Sequence, residues 1–360
     1  MNYLRYRPEI ESPAADEAEA IQGIVHSMTH QAEKVADREH HAVRASHAKS
    51  SALVVGELTV QPNLPPELAQ GLFALPRSYK VAIRFAQGPG ERLADRVGTH
   101  RGMAIKVFGV DGEKLGSHRD DTQDFVLASG PTFPSGTAQG FLKDEKQLES
   151  GVSLPEGVKS FVSSAARNLN RVLHAVGTES PKADFFGHPF SHPLSEPYYS
   201  QAPIRFGDYV AKVAAFPAFP GLETLQSETI DVDSDPDAFR HATQAFIAAH
   251  ETLFELRAQL WTDAEQQPIE DASVEWKESD SPFRTVATIR IPPQNAGSPE
   301  RRRYFDEVMA FRPAHTLVAH QPLGSVMRAR LEVYEALSDF RHLANGVAQE
   351  EPRTAEQIPA

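Results

Sequence analysis

Three short apolar segments follow one another between residues 80 and 129 with no helical stretch between them, and they constrain the fold more than any other feature of the chain. In KVAIRFA (80–86), Val81, Ile83 and Phe85 alternate with Arg84 and Ala86, the period-two pattern of a strand with distinct faces. GMAIKVFGV (102–110) and DFVLAS (124–129) continue the series, and the Asp-Gly dipeptide in GVDGEK (109–114) supplies a tight turn. Further strand-like stretches are SALVVGELTV (51–60), PIRFGDYVAKVAAFP (203–217), ELRAQLWT (255–262), ASVEWK (272–277) and TVATIRI (285–291). Strands that are not regularly interleaved with helices predict an α+β fold built on an antiparallel β-barrel core with surrounding helices.

The helical stretches fall around that series. A polar pattern rich in Ala, Glu and His runs from Ala14 to Ala48, and NLPPELAQGLFAL (63–75) reads as a short proline-opened helix. Residues 135 to 180 are helical with Pro and Gly breaks, DAFRHATQAFIAAHETL (237–253) is amphipathic, and helices follow at 300–310 and 322–344. Asn345-Gly346 stops the last one. The resulting division is an N-terminal arm and helix over 1–34, a core over 35–346 and a disordered tail over 347–360.

Charge excludes some functions. The net charge of −13 argues against nucleic acid and anionic membrane as partners. The absence of cysteine removes disulfides, thiolate metal sites and a cysteine nucleophile. No apolar run approaches the ~20 residues of a membrane span, and MNYLRYRPEIESPAADEAEA has no basic-then-apolar leader. The expected location is the cytoplasm.

The residues that carry chemistry begin with RARLEVYEALSDFR (328–341). At 100° per residue, Arg330, Tyr334 and Arg341 lie within about 40° of one another, with Leu337 on the same stripe. A tyrosine beside a guanidinium suits a phenolate ligand. Holding Tyr ionised at pH 7, from an ordinary pKa near ~10, requires roughly 4 kcal/mol, which an Arg and a ferric ion together can supply. Tyrosinate is one of the few protein ligands of haem iron.

The stretch RLEVY, with Arg341 seven residues beyond its Tyr, resembles the proximal haem segment of haem catalases and catalase-related hydroperoxide enzymes, in particular the small catalase-related peroxidases. Three further stretches are similar to that family in the same order. In AIRFAQGPGERLADRVGTHRGMAIKVF (82–108) the matching pieces are Arg84-Phe85, Gly90-Glu91-Arg92, Ala94-Asp95 and Arg101-Gly102. REHHAVRASHAKSSALVVGEL (38–58) resembles the family's Arg-x-x-His-Ala segment, and DTQDFVLASGPTF (121–133) its strand with a distal asparagine. The resemblance implies haem b as cofactor, with Tyr334 as iron ligand, Arg330 as its charge partner and Arg341 at the haem side. It further implies Arg84 and Arg38 on propionates and His41 as distal acid/base, with His40 the adjacent alternative. Asp121 stands at the asparagine position, Gln123 could provide the amide instead, and Phe125 would be the aromatic above the haem. Ala86 replaces a serine that orients the histidine in many members, so a backbone carbonyl or water is expected in that role.

The implied activity is decomposition or reduction of hydrogen peroxide or organic hydroperoxides through a ferryl intermediate. An ionised Asp121 beside the histidine would weaken catalase turnover relative to peroxidase turnover. The substrate partner is a small peroxide, and a homo-oligomer through the polar N-terminal helix is left open. Competing readings are a fatty-acid hydroperoxide isomerase or dehydratase, which needs a long apolar channel, and a non-enzymatic haem or lipid carrier. A zinc site at His26 and His30, one helical turn apart, lacks a correctly placed carboxylate.

Overall fold

The computed structural model describes residues 2–151, 154–175 and 180–360. Nine strands occur among the described residues: β1 (Ser50–Val60), β2 (Ser78–Gln87), β3 (Arg101–Phe108), β4 (Thr122–Ala128), β5 (Tyr198–Tyr199), β6 (Ile204–Phe206), β7 (Tyr209–Pro217), β8 (Thr252–Leu260) and β9 (Arg284–Ile291). Around them lie α1 (Glu17–Glu39), α2 (Ala138–Gly151), α3 (Glu156–Ala175), α4 (Pro181–Phe186), α5 (Leu222–Ser227), α6 (Ala238–Ala249), α7 (Pro299–Arg303) and α8 (Ser325–Asn345).

All the pairings are antiparallel. They run β5-β4-β3-β2-β1-β9-β8-β7, and a further β5–β7 pairing closes the ring into an eight-stranded barrel with β6 hairpinned onto β7. The α+β expectation therefore holds. Closure satisfies the edge groups that an open sheet would leave unpaired.

The alternation read in β2 decides which side chains fill the barrel. Val81, Ile83 and Phe85 are fully buried in the main core, with Met103, Ile105 and Val107 of β3 and Phe125 and Leu127 of β4. The opposite face of the same strands is built from small residues. Arg84 lies across from Ala104 and Ala86 from Gly102, while Gly102 pairs with Ala128 and Ala104 with Val126. This leaves a recess on the outside of the barrel.

Helices α1, α2 and α8 pack on one another through Ile21, Ile24, Met28, Phe141, Ala329 and Val333 and cover that recess. Arg328 anchors α8. Its guanidinium pairs with Glu17 of α1 at 2.6 Å, with Glu270 at 2.6 Å and with Glu11 of the N-terminal arm. Three carboxylates from separate stretches of chain thus fix the start of α8.

Three local expectations change. The first helix stops at Glu39 rather than Ala48, because His40 takes a left-handed conformation (φ 52°) that caps it. ASVEWK is a bend and not a strand. The Asp271 side chain accepts the Ser273 N–H at 3.0 Å, and the apolar Ala272 and Trp276 are buried without joining the sheet.

The stretch after Gly346, expected to be disordered, packs on the barrel. Ile358 sits with Phe305 and Met309, and Glu351 reaches Lys106 at 3.1 Å. Composition hides this docking because its partners lie from about fifty (Phe305, Met309) to about two hundred and fifty (Lys106) residues away in the chain.

Lys106 is wholly buried between Asp124, at 2.8 Å, and Glu351. Burial works against its charge, but the two carboxylates outweigh that and raise its pKa. Lys106→Ala leaves the buried Asp124 and the partly buried Glu351 with His315 as their nearest basic group. It should cost about 3–5 kcal/mol, read as a lower urea midpoint with unchanged slope.

Candidate functional site

The recess under α8 is a cavity of about 110 Å³, or about 760 Å³ counting the open space at its mouth. One wall is the small-residue barrel face, with Arg84, Ala86, Gly102, Ala104 and Val126. The other is the α8 stripe of Val333, Tyr334, Leu337, Ser338 and Arg341. The helical spacing read in the sequence brings these α8 side chains to one place. Arg330, one turn before Tyr334, donates from Nη2 to the Tyr334 hydroxyl at 3.2 Å, and its guanidinium carbon lies 5.4 Å from the ring centre. Arg330 is buried, and among the described residues no carboxylate pairs with it.

The histidine in this cavity is His47. It lines the recess together with Arg44, Ala45 and Ser46. His47 Nδ1 lies 3.2 Å from the Gln87 carbonyl. That acceptor requires the proton on Nδ1 and leaves the lone pair on Nε2. Burial, followed by the nearby His100, Arg84 and Arg330, holds the His47 pKa well below the ordinary imidazole range, so the ring is neutral at pH 7.

The backbone at His47 is left-handed (φ 58°), a strained setting for a non-glycine residue that functional sites often retain. Two features hold it there. A Cβ at residue 102 would stand 2.6 Å from the ring, so only glycine fits. The buried Lys49, two residues on, pairs with Asp95 at 2.6 Å and Asp237 at 2.8 Å.

The other predicted distal residues lie elsewhere. Arg38 is half-exposed and pairs with Glu91 at 2.7 Å, and His41 pairs with Glu307 at 3.3 Å. Both follow from the early end of α1, which leaves them at its C-terminal edge. Arg-x-x-His-Ala occurs twice, at 38–42 and at 44–48, and the structure brings only the second copy to the cavity.

The β4 candidates also miss it. Asp121 is 71% exposed and 3.6 Å from Lys114. Gln123 is buried but bonds Thr316 and the Leu317 N–H at 2.7 and 2.9 Å. Phe125 points into the barrel, stacked on Phe73. Alternation along β4 gives the outer face to Val126 and Ala128, not to positions 123 and 125.

At one end of the cavity three guanidiniums gather on the segment around Asp306, and Arg84 alone of them bonds its carboxylate. Arg84 donates to Asp306 Oδ1 at 2.9 Å, Arg44 donates to the carbonyls of Asp306, Phe305 and Met309, and Arg341 donates to the Asp306 carbonyl. Burial and mutual repulsion depress the Arg44 pKa well below normal and bring Arg341 to about 10. The buried Arg341 Nε has no hydrogen-bond partner among the described residues. Two uncompensated positive charges with an unused donor fit a flat dianion with two carboxylates. A tyrosine bonded to arginine fits a hard trivalent metal at its centre. This donor set therefore suits haem. Among the described residues no three His, Asp or Glu side chains converge as a metal site.

A second and larger chamber, about 1780 Å³ counting its mouth, shares His47, Val126, Leu127, Val333 and Tyr334 with the first. Its far side holds Glu145, buried and bonded by Gln31 at 3.1 Å.

No protein-family model matches the sequence, and no curated protein matches it. Solved structures do. A fungal catalase has a TM-score of 0.59 at 17% identity, covering 95% of this chain and 66% of its own. Catalase A from Saccharomyces cerevisiae has 0.60 at 17%, covering 96% and 70%. A bacterial catalase has 0.58 at 15%, covering 92% and 66%. The class is thus the catalase fold, with a chain that spans about two thirds of the length of these catalases. No helix among the described residues is long and apolar enough to cross a membrane.

Burial pushes the Glu145 carboxyl up to about 7, against the pull of Gln31. Its protonated form is favoured in the folded chain. The stability tied to it is therefore complete below the unfolded value near 4.5 and is lost as pH rises to 7 and beyond. Glu145→Gln should be near neutral at pH 4 and stabilise by up to about 3 kcal/mol at pH 8. Thermal melts of both proteins across that range check it.

Proposed function

We propose that this chain is a haem-dependent enzyme of peroxide chemistry, with Tyr334 as iron ligand and His47 as acid/base. The observation that carries this reading is the Arg330–Tyr334 hydrogen bond of 3.2 Å in a cavity that also holds a neutral, fixed histidine. Arg44, Arg84 and Arg341 are the groups that would hold the two propionates. When bound, haem supplies the redox chemistry, which the protein orients and tunes.

The chain's own residues supply the rest. Arg330 stabilises negative charge on the phenolic oxygen of Tyr334. The Gln87 carbonyl fixes the His47 tautomer, so that Nε2 accepts the proton from the bound oxygen of a hydroperoxide. The same nitrogen returns that proton to the far oxygen, which leaves as water or alcohol. The redox chemistry that haem would supply includes the two electrons that cleave the O–O bond, which a second peroxide or an organic donor would return. Asp121, at the surface, has no part in this. The expectation of weak catalase turnover that rested on its charge therefore loses its ground.

The decisive comparison is between the two histidines. In protein loaded with haemin, His47→Gln should lower peroxide turnover by about 10²–10⁴-fold, while His41→Gln should leave it nearly unchanged. Tyr334→Phe should abolish the ferric tyrosinate absorption spectrum. If Tyr334→Phe keeps that spectrum, or if His41 rather than His47 proves essential, the assignment fails.

A further inference from the structure

Helix α3 (Glu156–Ala175) turns its polar side to the protein and its apolar side to solvent. The buried Ser163 hydroxyl donates to the Gly98 carbonyl at 2.8 Å, and Arg167 donates to the His188 carbonyl at 3.2 Å. Lys159 pairs with Glu91 at 2.5 Å, and Glu156 pairs with Arg96. These three charged side chains, Glu156, Lys159 and Arg167, are the ones the sequence places between 154 and 170, and each is engaged on the protein side. On the other side Leu154, Val158, Phe161, Val162 and Leu169 are exposed, Phe161 by 74%, with Ala165 exposed among them. An amphipathic helix ordinarily buries such a stripe, and a contiguous apolar face left open marks an interaction surface.

The spacing points to what covers it. Leu154, Val158, Phe161, Ala165 and Asn168 are separated by four, three, four and three residues, the seam of a helix that packs along another helix. The seam is also complementary to itself. When two copies run antiparallel about a twofold axis, the same patch faces itself with its order reversed. The axis that sets Phe161 of one copy against Ala165 of the other places the largest side chain of the seam over its smallest. The same axis brings Val162 next to its own copy and Leu169 next to the exposed Pro155. No charged group of the seam meets a like charge in this arrangement.

A lipid surface fits less well. A helix lying on lipid keeps Lys and Arg on its polar side for the headgroups, whereas Lys159 and Arg167 are bonded inward. The net charge of −13 also opposes an anionic surface. Helix α1, where the polar sequence left contacts between subunits open, has its apolar side occupied by α2 and α8.

We propose that α3 is a dimerisation helix, through which two copies of this chain pair antiparallel with Phe161 of each packed on Ala165 of the other. The pairing is independent of haem and of the peroxide reading. One helix face of roughly 30 by 10 Å is smaller than the ~800 Å² per partner of a standard interface, so the dimer is reversible and depends on concentration.

Sedimentation velocity of the full chain should show the assembly gaining mass up to about 100 µM. Phe161→Asp should raise the dissociation constant about a hundredfold or more and halve the mass at a given concentration. Because Phe161 is exposed, the melting temperature of the dilute variant should equal that of the unaltered chain. The chain has no cysteine, so single cysteines report the register. With copper phenanthroline as oxidant, Val162→Cys should cross-link to its own copy, and Leu154→Cys, at the far end of the seam, should not. A chain that stays monomeric at the highest concentration, or an assembly whose mass Phe161→Asp leaves unchanged, overturns the proposal. Self-cross-linking of Leu154→Cys overturns the antiparallel pairing. Recovery of the chain on phosphatidylcholine vesicles that Phe161→Asp abolishes assigns the face to lipid and overturns it as well.

Discussion

Arg44, Arg84 and Arg341 come from a loop, a strand and a helix and converge on the segment around Asp306. Burying like charges together is expensive unless each is hydrogen-bonded and partly neutralised. Here backbone carbonyls satisfy much of the donor capacity, and Asp306 supplies the nearest negative charge. Its carboxyl is buried, which works against ionisation, yet Arg84 and Arg44 hold its pKa low. Glu351 adds a more distant negative charge that acts on Arg44 and Arg341. Because these three residues tie loop 41–49, β2 and α8 to one point, the same cluster sets the distance between the barrel face and the helix that covers it.

The cavity exists because β2, β3 and β4 carry small side chains at one end of their outer face. Gly102, Ala104 and Ala86 stand where larger residues would fill the recess. Gly102 has the narrowest tolerance, since the ring of His47 occupies the space a Cβ would need. The strained backbone of His47 is then held by the Gln87 carbonyl on its ring and by Lys49 buried against Asp95 and Asp237. Asp95 belongs to the glycine-rich stretch between β2 and β3, which thereby acts as a clamp on the histidine loop.

Some of this site was legible before any coordinates. The stripe of Arg330, Tyr334 and Arg341 depends only on helical periodicity over eleven residues. The outward face of Arg84 and Ala86 depends only on alternation within one strand. Both are local regularities, and local regularities survive in the linear order of residues. The β4 candidates failed for a related reason. Similarity of residue type points to positions 121, 123 and 125, but the register of β4 against β3 gives the cavity face to the even-numbered positions. Composition alone points to disorder after Gly346 because Lys106, the partner of Glu351, lies far away in sequence.

The sequence by itself determined the barrel, its two faces and the α8 stripe that sets Tyr334 beside Arg330, since each is encoded by a repeat of two or of 3.6 residues. Only the tertiary structure decided between two copies of the same five-residue pattern six residues apart. A helix that ends at Glu39 puts His41 against Glu307, and the loop that follows, pinned by Lys49, carries His47 over the recess. That choice depends on where a helix stops and on a buried ion pair between distant segments, and neither is written in the pattern itself.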